Sequence, residues 1–222
     1  MKILRLFREA LAAALLLGAA AMAHADVIYH FNSTQVSEFG SGPYGSITLS
    51  ASGTSMNFKI DLRSDLNFVN TGGPHSIFSF NSLGVLASDI SNVLFNGLAN
   101  SNVTVVSPGE NQPFGTSFSF MLDCTAVACQ DGAPGQSLDP LTFTIANATY
   151  SDFGFLNAGT TAFFASDVIC VTGSCNGATG AIGSNLPPDQ GGGDNGNPVP
   201  EPAGLALLGL GLAGLAAARR RR

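Results

Sequence analysis

The chain has 222 residues, a formal net charge of −6, 16 Phe, 27 Gly and no Trp. Lys2, Arg5 and Arg8 open it and Arg219, Arg220, Arg221 and Arg222 close it, whereas from Asp26 to Pro200 13 acidic residues face only Lys59 and Arg63, a net of −11. So acidic a body argues against a phosphate-binding surface for nucleic acid and against charge-driven docking on anionic lipid.

The first 25 residues read as a secretory signal peptide. Three bases precede an apolar run from Ala10 to Ala21, and the run ends at Ala23-His24-Ala25, an A-x-A cleavage site. A retained membrane helix is disfavoured by Glu9 and by the small-residue exit, so the mature chain is expected to begin at Asp26. Secretory translocon and signal peptidase are the implied partners.

Residues 26–184 read as one β-rich extracellular domain. Period-two alternation marks strands at Ser46–Ala51, Ser55–Leu62, Ser76–Asn81, Asn102–Ser107, Thr116–Leu122 and Leu141–Ala146. An apolar run from Thr160 to Val171 adds a further strand, and Ser88–Leu98 suits a short helix. Gly, Pro, Asn and Asp clusters at 40–43, 71–74, 107–109 and 131–135 supply the turns. At least six to eight short strands in a segment of this length predict an all-β fold, an antiparallel β-sandwich or jelly-roll-like domain, with Phe, Ile and Leu on the buried face.

Four cysteines lie in this domain as two pairs five positions apart, Cys124 with Cys129 and Cys170 with Cys175. Four cysteines allow three pairings; the two local ones are preferred because TAVA and VTGS are small enough for tight loops. An oxidising compartment favours disulfides, and the C-x4-C spacing is wider than a zinc knuckle, so a four-sulfur metal site is the weaker reading.

Few residues suggest chemistry. His30 and His75 are the histidines after Asp26, and no G-x-S-x-G elbow accompanies His75. A hydrolase triad or a two-histidine metal site needs contacts that sequence does not supply. Asp61 and Asp65 flank Arg63, and on one strand these alternate positions share a face. A pair of glycosidase carboxylates is conceivable there, but a solvated edge with a local ion pair is the plainer reading. Tyr29, Tyr44 and Tyr150, with no Trp, are too few for the aromatic platforms of a strong sugar site, although a Ser/Thr/Asn face suits weak polysaccharide contact. No catalytic residue, metal ligand or cofactor is assigned, and the chain is expected not to be an enzyme.

Residues 185–198, NLPPDQGGGDNGNP, read as a flexible linker. Asp189 and Asp194 lack the ligand spacing and the closing Glu of an EF-hand. After Pro198, Pro200 and Pro202, the 16 residues Ala203–Ala218 consist of Ala, Gly and Leu, followed by four Arg. A helix over 203–218 would rise about 24 Å. That is short of a hydrocarbon core of about 30 Å, but terminal Arg side chains snorkel, and the basic end stays cytoplasmic. A transmembrane helix is therefore expected.

Val199-Pro200-Glu201-Pro202, the Gly/Leu/Ala helix and the terminal Arg219–Arg222 cluster resemble the PEP-CTERM sorting signal of Gram-negative, exopolysaccharide-producing bacteria. The resemblance covers 199–222. It implies that Pro200-Glu201-Pro202 is recognised, that the helix holds the chain transiently in the inner membrane, and that an exosortase-type membrane transpeptidase processes it. The product would reach the cell surface or extracellular matrix, with a structural or adhesive role in exopolysaccharide or biofilm. A polysaccharide- or calcium-binding module and a secreted hydrolase are the alternatives. Gly72-Gly73-Pro74-His75 with Phe78 and Phe80, the Cys124 region, Pro140–Ile145 and Phe164–Val168 also resemble ectodomains found ahead of such tails. That likeness implies no functional residue.

Overall fold

In the computed structural model, residues 26–99, 102–124 and 138–190 are described, and they belong to one compact unit, Asp26–Gln190. Strict alternation sets the central hairpin. In Ser55–Leu62 (β4), Met56, Phe58, Ile60 and Leu62 are buried while Asn57 and Lys59 are exposed. Its partner Gly45–Ser52 (β3) buries Ile47 and Leu49, and the two strands pair from Gly45↔Leu62 to Ser52↔Ser55. The same period carries through Leu141–Ala146 (β13), where Leu141, Phe143 and Ile145 point inward.

Around this hairpin the first sheet runs, edge to edge, Asp189–Gln190 (β16), Val27–Phe31 (β1), β3, β4, β13, Ile90–Phe95 (β7) and Leu98–Ala99 (β8). The second runs Ser33–Thr34 (β2), Thr179–Ser184 (β15), Phe164–Cys170 (β14), Phe78–Phe80 (β6), Phe120–Cys124 (β12) and Val103–Val106 (β9), with Leu66–Phe68 (β5) also paired to β14. The pairings in both sheets are antiparallel. The all-β, antiparallel expectation holds.

Phenylalanine joins the two sheets. Phe58 stacks on Phe143 at 4.7 Å within the first sheet and meets Phe80 at 5.9 Å and Phe164 at 6.3 Å on the second. Phe78 lies 5.9 Å from Phe143, and Phe80 lies 5.7 Å from it. Tyr29, from β1, packs edge-on against Phe164 at 4.8 Å. A third layer, the hairpin Gly109–Asn111 (β10) and Gly115–Phe118 (β11), covers the outer face of the second sheet. Phe114 and Phe118 form a small separate core there with Ala162, Ala165 and Ala181. Gly183 is required beneath Phe114: a Cβ at that position would come within 2.6 Å of the ring.

Two expected elements differ. Ser88–Leu98 is not a helix: a single 3-10 turn at Ala87–Asp89 leads into β7. Asn92 adopts φ +54°, and the pairing with β13 shifts between Thr142 and Thr144. A bulge there breaks the alternation that would have marked a strand. Thr116–Leu122 is not one strand: it divides at Ser119 into β11 of the outer hairpin and β12 of the second sheet. Beyond the domain's last long strand, Asp189–Gln190 adds to the edge at Ile28 and Val27, so pairing reaches into the segment read as linker. Among the described residues, no helix is long and apolar enough to cross a membrane. The expected helix at 203–218 and the signal peptide at 1–25 lie outside the described residues.

Phe58→Ala should cost about 3–5 kcal/mol, the usual loss for emptying a large buried aromatic site. Urea unfolding of the wild-type and variant chains measures it. A loss below about 1 kcal/mol would contradict this account of the core.

Candidate functional sites

The outer face of the first sheet carries an open groove of about 280 Å³. Period two places the outward residues of four adjacent strands in rows. Ser50, Asn57, Thr144 and Ser91 form one row, and Thr48, Lys59, Thr142 and Leu94 the next. Neighbouring strands lie about 4.8 Å apart, so each row presents a comb of polar groups. Ser50, Asn57, Lys59, Asn92, Leu94, Thr142 and Thr144 line the groove over Phe58 and Phe143. Thr144 Oγ1 donates to Asn57 Oδ1 at 2.9 Å, which holds the amide across two strands. Lys59 pairs with Asp61 at 2.8 Å, with both side chains substantially exposed. Among the described residues, Lys59 is the one ionisable side chain in the lining. The groove thus offers hydroxyl and amide hydrogen bonds and an aliphatic contact, a surface for a neutral polar chain and not for acid–base chemistry.

A second polar region lies under the outer layer of the second sheet. Asp167, on the outward side of β14, is fully buried. Its Oδ2 accepts from Thr71 N at 2.9 Å and Thr71 Oγ1 at 2.6 Å. Its backbone N–H donates to Ser76 O at 3.0 Å, and its carbonyl accepts from Val69 at 3.1 Å. The turn from Asn70 to Ser76 is therefore wrapped around this one residue. Burial pushes the Asp167 carboxyl above the ordinary range, against the Thr71 hydrogen bonds and the nearby His75. Asp167 Oδ1 and His75 Nδ1 are both buried without a hydrogen-bond partner.

His75 thus has an acidic neighbour that its sequence context did not reveal, 92 positions away. A triad also needs a presented nucleophile. The serines at hand, Ser76 and Ser79, are fully buried, lie 2.6 Å apart and donate to Glu110 O. Their hydroxyls hold the hairpin onto the sheet. His30 and His75 are not brought together: His30 alternates with the buried Tyr29 and Phe31 on the outward side of β1, in the other sheet.

Asp61 and Asp65 also separate. β4 ends at Leu62, so Asp61 belongs to the first sheet while Asp65 lies in the turn leading to β5 in the second. The shared strand face expected from their spacing does not form. Arg63 grips Asp65 through Nε at 2.6 Å and Nη2 at 2.9 Å, and donates to Ser41 O and Phe39 O. Its guanidinium sits 5.3 Å from the Tyr44 ring centre. The Arg63 hydrogen bond holds the Asp65 carboxyl below its ordinary value. Asp65 lies against Cys170 and Cys175, but these form a disulfide, so no thiolate is available and the carboxylate is already committed. Arg63 is a corner clamp. Cys124 is also disulfide-bonded; its expected partner Cys129 lies outside the described residues.

None of these features identifies a reaction, and the domain gives no match to a known protein. No curated protein and no solved structure matched the chain. The family model described as the PEP-CTERM protein-sorting motif matched residues 198–222. The chain carries a PEP-CTERM sorting motif. That match spans Pro200, Glu201, Pro202 and Arg219–Arg222, all outside the described residues. The motif implies an exported protein, destined for the cell envelope or surface, with an exosortase as its processing partner.

Burial makes the domain acid-favoured near neutrality. Asp139, whose Oδ1 accepts from Leu62 N at 2.9 Å, is pushed from 3.8 up to about 6, chiefly by burial. A raised folded-state value means that the protonated form is favoured by folding. This contribution is fully present below about pH 4 and lost as pH rises through about 6. Asp167 shifts in the same direction. Asp65 shifts oppositely and loses its contribution as pH falls through its lowered value. Thermal melts should therefore give a higher Tm at pH 5 than at pH 7.5, and Asp139→Asn should shrink the difference. An unchanged difference in that variant would remove Asp139 as its source.

Proposed function

We propose that this is a non-enzymatic surface or matrix protein. It is exported by a cleavable signal peptide, held transiently in the inner membrane by residues 203–218, and processed by an exosortase near Pro200-Glu201-Pro202. Its folded domain then serves a structural or adhesive role among exopolysaccharide. The observation that carries this reading is the sorting motif matched at 198–222. The acidic, disulfide-bonded β domain is compatible with life outside the cytoplasm. Replacing Pro200, Glu201 and Pro202 together by Ala should leave the tail uncut in the native host. The check is the mass of the chain's C-terminal peptide; unchanged processing would sink the exosortase assignment.

The polar groove supports a second reading, a module that binds neutral polysaccharide. Its lining of Ser, Thr and Asn suits polyhydroxylated chains, while the net negative body disfavours anionic ones. Thr142→Glu places a carboxylate in the middle of the groove without disturbing the core. It should weaken retention on an insoluble neutral glucan about tenfold at unchanged Tm. Equal retention of both proteins, or of neither, would leave the module reading without support.

A further inference from the structure

We propose that the end of the sandwich from which the chain departs docks on the lipid interface while the tail is still attached. This rests on the sorting function proposed above, because it needs a tail held in a membrane.

Strand register fixes which loops share that end. Val27 pairs with both Gln190 and Leu49, so the domain's first strand starts where its last strand stops. The β3–β4 turn lies at the same end, because Ser52 pairs with Ser55. Ala146 pairs with Ser55 and Ile145 with Ile90, so the exit of β13 and the entry to β7 lie there too. Tyr150 closes the group, its hydroxyl accepting from Ala51 N at 3.0 Å.

The loops at this end expose Leu83, Leu86 and Leu156, at 56%, 64% and 51%. They form one assembly. Leu83 N donates to Asp152 O at 3.0 Å, and Asn81 Nδ2 donates to Phe155 O at 3.3 Å. Ser82 N and Asn157 Nδ2 both donate to Ser119 Oγ. The two loop carboxylates turn back on their own backbones: Asp89 accepts from Leu86 N at 2.9 Å, and Asp152 from Thr149 N at 2.7 Å. No Lys or Arg occurs in 82–89 or 149–157. The Arg63 clamp and the exposed Leu98 lie at the opposite end, where β4 and β7 finish. What these two loops add at the exit end is aliphatic, and the exposed Asp26 next to Val27 offers no attraction for anionic headgroups either. The loops' natural partner is the neutral, apolar part of a bilayer interface.

Chain length selects that partner over others. Gly191–Pro202 is 12 residues, a reach of at most about 40 Å, before the apolar segment begins at Ala203. Through so short a tether the membrane meets the domain at millimolar effective concentration. Three leucines then suffice for docking, although they would not retain a free domain. Cutting the tail thus removes both the anchor and the docking, and the domain leaves.

The test uses the full-length chain inserted in phosphatidylcholine vesicles, with hydrogen exchange read at 82–89 and 149–157. Exchange should be about fivefold slower while tethered than after proteolysis within 191–199. The triple variant Leu83→Ser, Leu86→Ser, Leu156→Ser should lose that protection, with exchange in β4 and β13 unchanged. A vesicle-bound chain whose loops exchange equally before and after the cut overturns the docking and leaves the sorting function standing. A chain that does not float with the vesicles overturns both. Protection that survives without lipid and grows with protein concentration assigns the leucines to a second copy, and overturns the lipid as partner.

Discussion

Everything in this domain is arranged around a slab of phenylalanine between two antiparallel sheets. Phe58, Phe78, Phe80, Phe143 and Phe164 are all within 2% of full burial, and their rings meet across the sheets at 5.7–6.3 Å. Phenylalanine carries no polar atom, so this slab needs no internal hydrogen-bond partner. The polar groups that a rigid domain must place are forced onto the outer faces, and those two faces receive opposite treatment. On the first sheet Ser, Thr and Asn stand open as a groove. On the second they are roofed by the β10–β11 hairpin and the turn at 70–76, where each buried group needs a partner. The fully buried Asp167 is the clearest consequence: the turn gives its backbone and its Oδ2 partners, while Oδ1 is left without one.

How much was legible follows from the range of each interaction. Strands β3, β4 and β13 could be read because one face is buried and one is wet, which writes period two directly into the sequence. β7 was misread because the left-handed Asn92 inserts a residue and spoils that period. β15, TGAIGS, carries almost no strand signal; its glycines answer to Phe114 and Val36, which come from distant segments. The corner at Ser119 was hidden for a related reason. Both of its flanks alternate, yet one belongs to the roof and the other to the sheet beneath.

The candidate sites sort the same way. The groove is legible only in part, since alternation predicts an outward Ser/Thr/Asn face but not which four strands lie side by side. The neighbourhood of His75 and Asp167 is a purely tertiary fact. Conversely, the adjacency of Asp61, Arg63 and Asp65 in sequence was misleading, because a strand ending at Leu62 sends the acids to different sheets. The tail is the opposite case. Proline spacing, a run of Ala, Gly and Leu, and a terminal basic cluster are all local, so sequence alone discloses them whatever the domain in front.

The domain is also asymmetric from end to end. Where β4 and β14 finish, Arg63 bridges the backbone at Phe39 and Ser41 to Asp65, and the Cys170–Cys175 disulfide closes the adjoining turn. At the other end, where Val27 and Gln190 pair, the loops are fastened by ordinary hydrogen bonds and show their leucines to solvent. A cross-linked corner resists opening, whereas lightly fastened loops rearrange at low cost. Reinforcement therefore lies far from the chain's point of departure, and adaptable apolar surface lies beside it. Under the sorting route proposed above, this is the useful polarity: the part that would meet a second surface can yield, and the part that would outlast release is held.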